Sequence, residues 1–231
     1  MKYLFTRCRF LLCVMLIFIL LTSVFSSVVA RSVSNFNGYT IVLDAGHGGR
    51  DGGSIGKNGT IEKEINLEYT LSLKEKLVKA GYRVELTRKT DDGLYSPLAK
   101  NKKQSDMQAR QNIIKKVNPN LVISIHMNSF PSSEARGSNS YYRKGDDASK
   151  NCADLIQKSL ATYCDARREK SQEGDYYLLN CSYYTAVLIE CGFISNPEEE
   201  TMLNTESYKE KMVDAIYKGI LLYFGSVNMN V

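Results

Sequence analysis

The chain has only two histidines, and each stands at the end of an apolar run. His47 lies in Leu-Asp-Ala-Gly-His-Gly-Gly (Leu43 to Gly49), directly after Thr40–Leu43, and His126 closes Leu121–Ile125. Glu62 follows a glycine-rich loop and opens a helix-like segment. Two imidazoles and a carboxylate are the ligand set of a catalytic zinc site, which keeps a further position open for water. Glu64 is the competing carboxylate. Two helical positions differ by about 200° of rotation, so only one of the pair can face a metal. Glu62 shares a face with Ile65 and Tyr69 and is the one expected there.

A second carboxylate, Glu190, interrupts the apolar run Val187–Phe193. A carboxylate inside such a strand is costly unless it is paired or has chemistry to do. A hydrolytic zinc site needs a base to take a proton from water and an acid to return one to the leaving amine, and one glutamate serves for both. Other polar residues nearby carry weaker signals. Asp44 either accepts a hydrogen bond behind His47 or simply closes its strand. Asn128 and Ser129 contact substrate or form an Asn-Ser turn. Arg110 can grip a carboxylate bidentately, but its polar helix favours a surface position.

These side chains need a frame to hold them. Thr40–Gly46, Arg83–Arg88, Leu121–His126, Ser138–Arg143, Tyr176–Asn180 and Ala186–Phe193 read as strands. Glu62–Ala80 carries an i, i+4 stripe of Ile65, Tyr69, Leu73 and Leu77 and reads as a helix, with Gly81 as its stop. Asp106–Val117, Ala148–Tyr163 and Glu206–Phe224 complete the helices, the last with Met212, Ile216, Ile220 and Tyr223 inward. Lys89–Ser105 reads as a long polar loop. The alternation predicts a single α/β domain, a twisted, mostly parallel or mixed sheet with helices on both faces. Sites in such folds gather at the carboxyl ends of strands, where both histidines fall.

Residues 1–30 read as export machinery, a signal peptide or membrane anchor, ahead of a catalytic domain at 31–231. Lys2, Arg7 and Arg9 precede the uncharged Phe10–Ala30, long enough for a span and ending in Val28-Val29-Ala30, which reads as a cleavage site. Without those three residues, 27 basic groups face 25 acidic ones. A balance so near neutral argues against a nucleic-acid partner. Cys152 and Cys164 fall on one helix about 18 Å apart, too far for a disulfide. Cys181 and Cys191 could pair, but four buried thiols is the simpler expectation.

The motifs DAGHGG (Asp44–Gly49), GTIEKEINL (Gly59–Leu67), SIHMNS (Ser124–Ser129) and ECGFISNPEE (Glu190–Glu199) together resemble the zinc-dependent N-acetylmuramoyl-L-alanine amidases of the amidase_3 type. The resemblance runs from about Thr40 to Phe224. It implies zinc held by His47, Glu62 and His126, and catalysis by Glu190. The reaction implied is hydrolysis of the amide joining the muramic acid lactyl group to the L-alanine of the stem peptide. A catalytic domain behind an apolar leader is most similar to the germination-specific spore cortex amidases. That branch implies cortex peptidoglycan as substrate, an exported location in the intermembrane space of the forming spore, an accessory protein regulator, and a partner deacetylase that carries the product on to muramic δ-lactam. The chain departs from the family at Ile114-Lys115, where Ala-Asn is usual. A zinc peptidase cutting stem peptides, or a non-catalytic wall-binding module, would be the rival outcomes.

Overall fold

The computed structural model describes residues 15, 17, 36–164, 166–180 and 183–228. Two compact units divide at Gly38. Of the first, Met15 and Ile17 are helical and exposed; the rest of the expected leader lies outside the described residues. Among the described residues, no helix is long and apolar enough to cross a membrane. The second unit holds every element below.

Six strands form one sheet: β1 (Thr40–Ala45), β2 (Arg83–Leu86), β3 (Leu121–Asn128), β4 (Asn139–Tyr142), β5 (Gln172–Glu173) and β6 (Thr185–Phe193), in the order β2-β1-β3-β6-β4-β5. The first four in that order run parallel. β4 joins β6 antiparallel, and β5 follows β4. The sheet is therefore mixed, as expected. Around it lie α1 (Glu62–Lys79), α2 (Lys102–Val117), α3 (Asp147–Cys164), α4 (Tyr177–Asn180), α5 (Pro197–Leu203) and α6 (Glu206–Asn228).

Strand alternation divides the core in two. Ile41, Leu43, Leu121, Ile123, Ile125, Val187 and Ile189 point into the larger core. They meet Ile65, Tyr69, Leu73 and Leu77 of α1, and Ile156, Met212, Ile216 and Ile220 of α3 and α6. Each such side chain contributes about 1.5–3 kcal/mol when fully buried. The even positions Val42, Val122, Ala186 and Leu188 face a smaller core with Ile114, Leu178 and Leu179. Followed towards the strand ends, this even face carries Asp44, Ser124, His126 and Glu190. The site is thus the polar continuation of the smaller core.

Three expectations need correction. Tyr176–Asn180 is not a strand: Tyr177–Asn180 is a short helix, closed by Asn180 N–H donating to the Tyr176 carbonyl at 3.0 Å. A short apolar run has no period that separates strand from helix. Packing decides here, since Leu178 and Leu179 cover the smaller core. The polar loop ends before Ser105, because α2 starts at Lys102, where the Asn101 side chain caps it by accepting from Gln104 N–H at 3.0 Å. Arg110 is not on the surface; it is fully buried. The helix α5 had no counterpart among the sequence expectations, although Asn196-Pro197 is a cap followed by proline at the first helical position.

Cys152, Cys164 and Cys191 are buried free thiols. Burial pushes all three up, Cys164 to about 11, so they stay protonated and unreactive. Cys181 lies outside the described residues.

Candidate active site

The first ligand candidate is set by a turn that the rest of the fold must hold. His47 has φ 61, a left-handed backbone that costs a non-glycine residue about 1–2 kcal/mol. Gly48 and Asp51 exchange two backbone hydrogen bonds, 2.9 and 3.2 Å, which close the loop. Arg110 Nη2 donates to the His47 carbonyl at 2.5 Å and Nη1 to the Ala45 carbonyl at 2.8 Å. Arg88 donates to the carbonyls of Ala45 and Gly46, each at 2.9 Å. Two buried arginines therefore take up three successive carbonyls that the end of β1 leaves without partners.

Arg110 is itself anchored by carboxylates. Its Nη1 meets Asp44 Oδ1 and its Nε meets Asp106 Oδ2, both at 2.6 Å. Asp44 also accepts from Thr87 Oγ1 at 2.7 Å and Ser124 Oγ at 2.6 Å. Burial pushes the Asp44 carboxyl up, but Arg110 and the two hydroxyls overcome this and hold it at about 2. Asp44 touches neither imidazole directly. Of its two expected roles, the structural one at the strand end is what the contacts describe.

Glu62 enters from the first turn of α1, 3% exposed, while Glu64 faces solvent. Its Oε1 lies 3.2 Å from His47 Nε2 and 3.1 Å from His126 Nδ1. The same oxygen accepts from Asn66 Nδ2 at 3.1 Å and Met127 N–H at 3.2 Å; Oε2 accepts from Ser54 N–H at 2.8 Å. Burial raises the Glu62 carboxyl, yet the hydrogen bonds from His126 and His47 outweigh it and keep the group ionised. On the far side of His47, Nδ1 lies 3.0 Å from Asp51 Oδ1. Nδ1 makes no well-aligned hydrogen bond there, so Asp51 acts on the imidazole through its charge, which raises its basicity.

His47, Glu62 and His126 place one ligand atom each within 4.8 Å of the others. Glycines leave room for the cluster. A Cβ at Gly46 would lie 2.2 Å from His126 Cε1, and one at Gly53, with φ +69, would lie 2.5 Å from Glu62 Oε2. The donor set and the space fit a zinc ion.

Glu190 is the cross-strand partner of His126 and lines the same cleft of ≈ 620 Å³ as the three ligand candidates. It is 8% exposed, and its Oε2 has no hydrogen-bond partner. Burial lifts its pKa to about 7, against the pull of His126. A buried carboxylate left unpaired contributes nothing to stability, and its place in a cleft makes it the candidate acid–base group. Asn128 and Ser129 line this cleft too, at the bulge where the β3–β6 register shifts.

Residues 41–221 match the family model of N-acetylmuramoyl-L-alanine amidases, Amidase_3. The chain belongs to that family. The germination-specific N-acetylmuramoyl-L-alanine amidase of Bacillus subtilis is 36% identical over 193 residues, which is 81% of either chain. Among solved structures, the CwlD amidase from Clostridioides difficile, determined in complex with the GerS lipoprotein, superposes with a TM-score of 0.78 at 39% identity, over 81% of this chain and 99% of that one. The catalytic domain of CwlV from Bacillus (Paenibacillus) polymyxa gives 0.71 at 29% identity, over 81% of this chain and 98% of that one. This amidase therefore hydrolyses the muramoyl–L-alanine amide of peptidoglycan, which sets aside the peptidase and the non-catalytic module.

Several residues of the site carried no sequence signal that singled them out. Asp51 stands in a glycine-rich loop without periodicity, and Arg88, two residues past the end of β2, closes the expected strand like any solvent-facing residue. Asn66 was detectable, four residues after Glu62 and hence on its face. Arg110 was noticed for its chemistry but placed on the wrong side of its helix.

Proposed function

We propose that this amidase is a zinc enzyme, with the metal held by His47, Glu62 and His126, and with Glu190 as general base and acid. The observation that carries the reading is the unpaired Glu190 Oε2, buried beside His126 in the cleft that the three ligands line. A zinc ion there supplies Lewis acidity towards the amide carbonyl and lowers the pKa of water to near neutrality.

The remaining chemistry falls to side chains. Glu190 takes the proton of the attacking water at Oε2, the oxygen with no competing donor. It returns that proton to the amide nitrogen as the bond to L-alanine breaks. Burial raises this carboxyl above its ordinary value, which works against the pull of a bound cation and favours a group that both takes and returns a proton. The Asp51 carboxylate, 3.0 Å from His47 Nδ1, would favour the proton on that nitrogen and so leave Nε2 to ligate. Arg110 and Arg88 fix the loop that carries it. Asn128 and Ser129, at the cleft's edge, position the substrate.

The setting proposed is the spore cortex, supported by the likeness to the germination-specific Bacillus subtilis amidase and to CwlD. Residues 1–30 export the chain or anchor it in the membrane bounding the cortex compartment. An accessory lipoprotein brings the enzyme to its substrate, a reading supported by the CwlD–GerS complex. The bared muramic acid then passes to a deacetylase on the way to the δ-lactam.

The metal assignment is tested by elemental analysis of the full-length protein. One equivalent of zinc is expected, with His126→Ala losing it and Glu64→Ala retaining it. Equal zinc in the wild type and His126→Ala would remove His126 from the ligand set.

A further inference from the structure

A second cleft, of ≈ 510 Å³, adjoins the first. Asn128 lines both. Tyr176 lines the first and Tyr141 the second, with ring centroids 5.2 Å apart, so this aromatic pair stands between them. Arg136, Arg167 and Arg168 line the second cleft. Arg136 is paired with Glu198, which offsets its charge. Arg167 and Arg168 are exposed and make no ion pair among the described residues. Ser138, 2% exposed, lines the cleft with its hydroxyl lacking a hydrogen-bond partner. The nearest buried carboxylate, Glu199, is engaged by the backbone N–H groups of Gly137 and Phe193 at 2.8 and 2.7 Å. Two guanidiniums that make no ion pair among the described residues, with an unpartnered buried hydroxyl behind the cleft wall, are a donor set suited to an anion.

We propose that this cleft is a subsite for a free carboxylate of the stem peptide. The proposal rests on the first cleft being the place where the amide is cut. Asn139 of the second cleft is the cross-strand partner of Glu190, about 5 Å away across the sheet. An extended peptide advances about 3.5 Å per residue. A peptide of one to three residues beyond the L-alanine therefore spans the step from Glu190 into the cleft that Asn139 and the arginines line. The subsite would select peptides by charge and fix which way the chain leaves the site. No other feature of the reaction requires a positive cleft here, since neither the lactyl group nor the alanine being separated is charged at the amide.

Calorimetric titration of the full-length protein with a soluble stem tripeptide, carboxylates free or all converted to carboxamides, tests this without depending on turnover. The free acid is expected to bind at least about tenfold tighter than the amide, the effect of losing a charge-assisted contact. Arg167→Gln with Arg168→Gln should erase that preference, and Ser138→Ala should reduce it several-fold, with unchanged melting temperatures. Equal affinity of the wild type for both peptides, or a preference that survives the double substitution, would overturn the subsite. Muropeptide cleavage measured alongside keeps the two ideas apart. Charge-dependent binding with no peptide release would retain the subsite and sink the placement of the reaction in the first cleft.

Discussion

Glu190→Gln is expected to lower amide hydrolysis by about 10²–10⁴-fold, the range for loss of a general acid–base group, while zinc content stays at the wild-type level. The change is isosteric and removes only the ability to take and return a proton. A second consequence follows from burial. In metal-free protein the carboxyl is raised from 4.5 to about 7. An acid raised in this way weakens the folded state once it ionises. The penalty is absent at pH 4, grows through the interval between 4.5 and 7, and is complete above it. Glu190→Gln should therefore match the wild type at pH 4 and be more stable at pH 8 by up to about 3 kcal/mol. Denaturant melts of the chelated protein at the two pH values measure it. A variant that loses activity but gains no alkaline stability would mean that the carboxylate is solvated or paired, and not the strained group the cleft contains.

Replacing Arg110 by Met should destabilise the protein by about 3–5 kcal/mol, because it leaves the Asp44 charge buried without its partner. For a domain of this size that is roughly 6–20 °C of melting temperature. Removing the guanidinium also withdraws the donors to the Ala45 and His47 carbonyls, so the left-handed turn at His47 loses its brace. Zinc affinity should fall although Arg110 touches none of the ligand atoms. Asp44→Asn combined with Arg110→Met should recover part of the stability, since the more deeply buried of the two carboxylates is then neutral and only Asp106 is left without Arg110. The pH dependence has a defined sign. Asp44 is held at about 2, below its ordinary 3.8, so its ion pair contributes fully above that ordinary value and is lost as pH falls towards 2. The wild type's advantage over Arg110→Met should be widest near neutrality and narrow below pH 4. A surface arginine would show neither the large loss nor the narrowing.

What the sequence disclosed and what it hid divide along physical lines. Three strands of the parallel part, β1, β3 and β6, were legible because each is an apolar run buried on both faces; β2, at the sheet edge and only partly buried, was legible from its position after the helix stop at Gly81. The helix stripes of α1 and α6 were legible because Ile65, Tyr69, Leu73 and Leu77, and Met212, Ile216 and Ile220, repeat with the helical period and are all buried. Glu62 could be told from Glu64 on rotation alone. Arg110 could not be placed the same way: α2 buries only Asp106, Arg110 and Ile114, so the inward face of this helix is mostly ionic. Hydropathy assigns such a face to solvent. Its burial depends on Asp44, 66 residues earlier, and no local pattern reports a long-range ion pair. Asp51 and Arg88 were hidden for the same reason, as their partners are backbone and side-chain atoms of a loop whose course is fixed only by the fold.

The most direct test of the catalytic assignment is mass spectrometry of peptidoglycan fragments incubated with the zinc-loaded, full-length amidase. The expected products are free peptides beginning with L-alanine and glycan bearing bare muramic acid, both absent with a chelator and with Glu190→Gln. Free peptides released at the wild-type rate by Glu190→Gln, or by chelated protein, would contradict it.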